Sequence, residues 1–266
     1  MADLAVLLAK KFIQRRDVKA KQLSNGEYMP HTHDNKRTGN RLPWKMHDLE
    51  AHLSGEATYG HYMLDTESHC RLFAFDIDLE QVGYLPSTFD EDGVATDFHS
   101  CDPRDAWRDR RHPARGWMKV QFRMIAETLA GIASKDLDMP VAVAYSGCKG
   151  VHVYCFHEPM SAVDSRDGAQ LVLDTSGVFD LMKGKNFYKH KDSDPEMGYP
   201  NLSIEVFPKQ TDLTDKDLGN LMRMPLGRNL KTPDPTFFVD LTAPFNEMRP
   251  GDAESILVSG NPWLTV

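Results

Sequence analysis

The chain lacks any apolar run long enough to span a bilayer. Leu4 to Ala9 comes nearest to a leader segment, but Lys10 and Lys11 follow it where a cleavage site would stand. Neither a signal peptide nor membrane association is therefore expected. Cysteine is scarce: Cys70, Cys101, Cys148 and Cys155 show no C-x-x-C spacing. That argues against a zinc ribbon or a disulfide scaffold and fits buried or free thiols of a reducing compartment. His99-x-Cys101 is too slight a metal signature to build on. No repeat, low-complexity tract or Gly-x-x-x-x-Gly-Lys-Ser/Thr loop occurs, so no P-loop NTPase module is present in this chain. An excess of positive charge is missing too; the net charge of −8 does not advertise a nucleic-acid binder.

What is present describes a globular chain. Its 266 residues, 41% hydrophobic and 26% charged, suffice for one large domain or two lobes with a real core. The positive charge is concentrated. Residues 10–21 carry Lys10, Lys11, Arg15, Arg16, Lys19 and Lys21 against Asp17, and residues 104–123 carry Arg104, Arg108, Arg110, Arg111, Arg115, Lys119 and Arg123 against Asp105 and Asp109. Two readings stand: solvated faces of an acidic protein, or two strips that track a phosphate backbone.

Periodicity places the elements. Leu4, Leu7, Leu8 and Phe12 predict an N-terminal helix, and Trp117 to Ala133 and residues 162–175 predict two more, the latter capped by Gly177. Strands are expected at Thr58–Leu64, Phe73–Leu79, Val141–Tyr145, Val151–Cys155 and Leu202–Phe207. A short helix is expected over 214–222, a long acidic surface insertion over 81–106, a basic loop over 183–200 and a Pro-rich tail after Leu230. With no regular βαβ rhythm, the fold class is α+β with mainly antiparallel pairing.

Three segments carry chemistry. In Phe73-Ala-Phe-Asp-Ile-Asp-Leu79, Asp76 and Asp78 share one strand face while Phe75, Ile77 and Leu79 take the other. Two carboxylates about 6–7 Å apart repel, and a hard divalent cation resolves that repulsion. The alternative is a strand end whose acids face water. In Ser146-Gly-Cys-Lys-Gly-Val-His152, two glycines permit a sharp turn with exposed N–H groups, and Ser146, Lys149 and His152 are placed to converge on a triphosphate; the alternative is a plain hairpin turn. Glu205 stands between Ile204 and Val206, as an acid aimed into a cleft or into solvent would. Asn220 and Arg223 share a face if helical, and would serve a sugar, base or phosphate, or a structural ion pair.

Taken in order, Asp76-x-Asp78, Ser146-x-x-Lys149-x-x-His152, Ile204-Glu205-Val-Phe-Pro-Lys-Gln210 and Gly219-Asn-Leu-Met-Arg-Met-Pro-Leu-Gly227 resemble the archaeo-eukaryotic primase superfamily. The similarity is to its primase-polymerase branch found in phages, plasmids and bacterial conflict systems. Phe12-Ile-Gln-Arg-Arg-Asp17, Gly26-x-Tyr28 and His52-Leu53-x-Gly55 extend it over roughly residues 10–235. The resemblance implies one catalytic domain: an N-terminal α/β lobe to about residue 70, an RRM-like palm over 71–235 and a C-terminal tail over 236–266.

It also implies that Asp76, Asp78 and Glu205 bind two divalent cations, Mn²⁺ or Mg²⁺. Ser146, Lys149 and His152 would hold the triphosphate of an NTP or dNTP, and Asn220 and Arg223 would contact the nucleotide. The template side would fall to Arg15, Arg16, Lys19, Arg110 and Arg111. The implied activity is DNA priming, DNA polymerisation or both, on single-stranded or primer-template DNA in phage or plasmid-type replication, by a monomer with a helicase as partner or fused module. Two departures stand out. The third acid is Glu where many relatives have Asp, and Arg228-Asn229 follow Gly227 where many carry His. The rival readings are a gap-filling repair polymerase of the same fold, a metal-dependent nuclease, which would not need the 146–152 loop, and a silent nucleic-acid-binding module, which would not need the acids.

Overall fold

The structure, a computed structural model, describes residues 2–34, 39–147, 149–177, 179–181, 187–190, 201–214, 217–232 and 234–262. The chain opens with α1 (Ala2–Phe12), β1 (Ala20–Gln22), β2 (Tyr28–Pro30), α2 (Met46–Ser54) and β3 (Tyr59–Tyr62). Then come β4 (His69–Phe89), β5 (Ala95–Cys101), α3 (Pro103–Arg108), α4 (Ala114–Asp136), β6 (Val141–Tyr145) and β7 (Gly150–Ser161). The remainder is α5 (Ala162–Ser176), β8 (Phe179–Leu181), β9 (Phe187–His190), β10 (Asn201–Phe207), β11 (Leu221–Arg223), β12 (Phe237–Phe238) and α6 (Ala253–Ser259). Among the described residues no helix is long and apolar enough to cross a membrane.

Two antiparallel sheets result. The larger runs β12-β6-β7-β4-β10-β9-β8, with β5 paired to the second half of β4; the smaller runs β11-β3-β1-β2. On the larger sheet, alternation sends Phe73, Phe75, Ile77, Leu79, Val153 and Ile204 into one core, against α4 and α5. Burying each such side chain stabilises by about 1.5–3 kcal/mol, and a one-residue slip would turn the acids into that core, so the register is strongly specified. The opposite face carries Leu72, Ala74, Tyr154 and Phe207 in a second core with Leu8 and Phe12 of α1. Farther along the same strands that face turns polar, at Asp76, Asp78, His152 and Glu205.

His52 ties α2 to the smaller sheet and to the segment after β11. Its Nδ1 accepts from the Tyr59 backbone N–H at 3.1 Å, so its Nε2–H donates to the Pro225 carbonyl at 3.0 Å. Burial pushes its pKa down to about 4. Gly227 packs on the ring, where a Cβ would come within 2.2 Å.

Several expectations need correction. Residues 81–106 are not a surface loop. Strand β4 runs on through buried Val82, the chain turns at Asp90–Gly93, and β5 returns along it. Gly83 and Pro86 looked like breakers, but the strand here pairs on one side and its register shifts around Pro86, which accommodates a residue without an N–H. The helix expected over 214–222 does not form where the chain is described. Leu221–Arg223 pairs with β3 instead, burying Met222 in the second core, so tertiary packing overrides local pattern. The segment expected as a tail supplies β12, which pairs with β6, buried Val239 and Leu241, and α6 against α1. Of the loop expected over 183–200, residues 187–190 form β9; 183–186 and 191–200 lie outside the described residues.

Candidate active site

Strand register assembles the acids. Asp76 has His152 of β7 as its partner on one side and Glu205 of β10 on the other. Asp78 has Gly150 and Ser203. Opposed residues of an antiparallel pair share a face with Cβ atoms about 4.5–5.5 Å apart. His152, Asp76 and Glu205 therefore form one row across three strands, with Asp78 one pleat farther along. Gly150 leaves room for that pleat: a Cβ there would stand 2.6 Å from the Asp78 carboxylate.

Each acid meets a basic group. His152 Nε2 lies 3.1 Å from Asp76, and its Nδ1 is hydrogen-bonded at 2.8 Å to the hydroxyl of Tyr154, whose ring is buried against Phe12. Lys149 Nζ lies 3.2 Å from Asp78 and 2.6 Å from Glu80, and Lys209 Nζ lies 2.7 Å from Glu205. Burial works to raise the pKa of Asp76, but the charge and hydrogen bond of His152, aided by Arg223 and Lys209, hold it below the ordinary range. Burial and the neighbouring Asp76 carboxylate raise the pKa of Asp78 despite Lys149. Burial opposes the charge on Lys149, yet Glu80 and Asp78 leave its pKa raised.

The 146–150 turn is braced from the smaller lobe. Gly147 has φ of 80°, which only glycine adopts readily. The Ser146 N–H donates to the Gly150 carbonyl at 3.0 Å. The Ser146 carbonyl accepts from Arg223 at 2.5 Å and from Asn229 at 3.4 Å, and the Thr232 hydroxyl donates to the Gly147 carbonyl. Asn229, at the departure after Gly227, thus props the turn. A cleft of about 490 Å³ is lined by Asp76, Asp78, Ser146, Lys149, His152 and Arg223, with Gln22 and Tyr28 contributed by the smaller sheet.

The other expected residues divide. Glu205 joins the row of acids without lining this cleft. Asn220 does not line it either; it precedes β11, and its backbone carbonyl accepts from the Met63 N–H. Arg15 and Lys19 are corrected as template contacts. Arg15 is buried and grips Asp17 at 2.5 and 2.7 Å, and Lys19 is buried between the Pro43 carbonyl at 2.6 Å and Asp48 at 2.7 Å. Groups so engaged brace the fold. Arg16, Arg110 and Arg111 are exposed. Arg104, Arg108 and Lys231 also line the cleft; the sequence put the two arginines in the second basic strip without assigning them to the site, and did not point to Lys231.

The family described as TOTE conflict system, Archaeo-Eukaryotic Primase domain matches residues 5–249. The chain belongs to this family. Its α+β fold with antiparallel sheets is accordingly that of the archaeo-eukaryotic primases, and it is a nucleotidyltransferase of the primase-polymerase fold. Among solved structures the chain is similar to the "Polymerase Domain from Mycobacterium tuberculosis Ligase D in complex with DNA", at 12% identity and a TM-score of 0.45, over 97% of this chain and 84% of that one. No curated protein matches it.

A divalent cation fits the chemistry of the acid row, which offers oxygen donors suited to a hard ion. Among the described residues no three His, Cys, Asp or Glu side chains converge as they stand on a shared ion position. Lys149 and Lys209 hold two of the carboxylates, and a cation would take their place.

Proposed function

We propose that this chain is a template-directed DNA primase-polymerase, with Asp76, Asp78 and Glu205 as metal-binding catalytic acids. The observation that carries the reading is the register that sets Glu205 and His152 on either side of Asp76, beside the braced 146–150 turn. Two divalent cations, Mn²⁺ or Mg²⁺, held by the three acids would supply activation of a 3′-hydroxyl and stabilisation of the leaving pyrophosphate.

The chain's own groups do the rest. Ser146, Lys149 and the exposed N–H groups of the turn bind the triphosphate of an NTP or dNTP. His152 orients Asp76 and lies within the same cleft for a phosphate oxygen. Arg223 fixes the Ser146 carbonyl and so the shape of the turn. Arg16, Arg110 and Arg111, all exposed, would meet the phosphates of single-stranded or primer-template DNA, a contact that positions without reading sequence. The setting is the DNA of mobile elements: the phage or plasmid replication implied by the sequence motifs, or the conflict system named in the family description. A helicase would act beside the enzyme, which works as a monomer in the cytoplasm.

The test is incorporation of labelled nucleotide on unprimed and on primed single-stranded DNA, with Mn²⁺ or Mg²⁺ and with ribo- or deoxynucleotides. Products on the unprimed strand establish priming; products on the primed strand alone establish a polymerase that extends. Degradation of the DNA with no incorporation would favour the nuclease reading and overturn this one.

A further inference from the structure

The cleft at Asp76 does not end at the 146–150 turn. A second cavity of about 520 Å³ adjoins it, and Arg104, Arg108, Lys231 and Thr232 line both. Arg104 and Arg108 stand four apart on α3, hence on one face. Their carboxylate neighbours, Asp102 and Asp105, are 3.8 Å away at exposed positions, where an ion pair contributes little. Lys231 reaches the cleft across Gly26, where a Cβ would come within 2.4 Å of its stem.

Helix α3 is fixed to the turn. The Trp107 ring lies 4.4 Å from that of Tyr145, the residue before Ser146, and its indole N–H donates to Asp234 at 2.6 Å. The charge balance of the cleft points the same way. Lys149 is already shared between Asp78 and Glu80, and Arg223 is committed to the Ser146 carbonyl. Even where a divalent cation takes the place of Lys149 on the carboxylates, one lysine leaves most of the charge of a triphosphate over this acidic floor unmatched.

We propose that Arg104, Arg108 and Lys231 clamp the terminal phosphates of the incoming nucleoside triphosphate, an assignment that rests on the function proposed above. A guanidinium meets phosphate oxygens in a fork, which a single lysine cannot do. The shared rim of the two cavities is where those phosphates emerge from the turn.

The test is calorimetric titration with ATP and Mg²⁺, beside titration with a single-stranded oligonucleotide. Arg104→Ala with Arg108→Ala is expected to weaken ATP binding about tenfold or more, at roughly 1.4 kcal/mol per tenfold, with oligonucleotide affinity unchanged. Lys231→Ala is expected to do the same to a smaller degree, and the nucleotide KM should rise in both while kcat stays within about threefold. Lys135→Ala, an exposed lysine in the last turn of α4 that removes a charge away from both cavities, controls for net charge. Unchanged ATP affinity in the double variant would overturn the clamp while leaving the proposed function standing. Equal losses for ATP and oligonucleotide would overturn it in favour of a nucleic-acid groove. A wild-type protein that binds neither ATP nor dATP, with Mg²⁺ or with Mn²⁺, would overturn the proposed function itself.

Discussion

In residues 10–21, Arg15 is locked onto Asp17 and Lys19 is sealed between Pro43 and Asp48. In residues 104–123, Arg104 and Arg108 stand open at the mouth of the cleft, whereas Arg123, on the same stretch, is buried. Arg123 donates to the carbonyls of Leu241, Ala243, Pro244 and Glu247 and pairs with Glu127 at 2.6 Å. Two runs of positive charge that read alike therefore divide their residues differently between bracing the fold and facing the cleft. Density of charge along a chain does not say where the charge points; partners and burial do. The first run gives Arg15 and Lys19 to fastening the smaller lobe and leaves Arg16 exposed. The second is split between fastening the C-terminal segment to α4 and furnishing the cleft.

That contrast can be broken where it predicts most. Arg123→Ala should cost about 3–5 kcal/mol in urea unfolding, because it leaves buried carbonyls and Glu127 without their donor. Lys19→Ala should cost a similar amount by stranding buried Asp48, and Lys19→Met with Asp48→Leu should recover most of it. If Lys19→Ala were neutral for folding and weakened DNA binding instead, the division between the two runs would be wrong.

Two buried histidines, kept uncharged, carry the same point through pH. His52 is held neutral, with its pKa lowered from 6.5 to about 4, and burial pushes His61, packed edge-on against Phe12, down to about 3. The unfolded chain takes up protons that the folded one refuses. Stability is therefore intact above pH about 6.5 and falls as the pH drops toward 4, by about 3 kcal/mol for His52. His52→Gln should lower stability at pH 7 and flatten the slope, as read from urea midpoints at pH 7 and 4.5. At the small end, Arg104→Ala with Arg108→Ala should move stability by no more than about 0.5 kcal/mol, since both side chains are exposed.

Much of the palm was legible in the sequence because a half-buried strand writes its own faces. Phe75, Ile77 and Leu79 are fully buried, and the acids between them could only lie on the other side. The ordered motifs carried the family as well. What could not be read was pairing across long stretches of chain. Nothing near Asp76 says that Glu205 and His152 are its neighbours; that follows from three strands whose core-facing residues pack on α4 and α5. The hairpin of β4 and β5 hid behind Gly83 and Pro86, which mark turns in isolation and are tolerated in a strand paired on one side. Strand β11 hid because its partner, β3, lies far back in the chain. Arg15 and Lys19 were misplaced because their acidic partners are distant in sequence or look like solvent-facing residues.

If the row Asp76–Glu205, with Asp78 beside it, performs nucleotidyl transfer, both carboxylates are indispensable to incorporation. The most direct measurement is nucleotide incorporation by wild type beside Asp76→Asn and Glu205→Gln, each first shown by circular dichroism and thermal unfolding to be folded. Loss of incorporation by about a thousandfold or more in both variants, with ATP still bound, is the expected result. A folded Asp76→Asn protein that incorporates nucleotide within about tenfold of wild type would contradict the account.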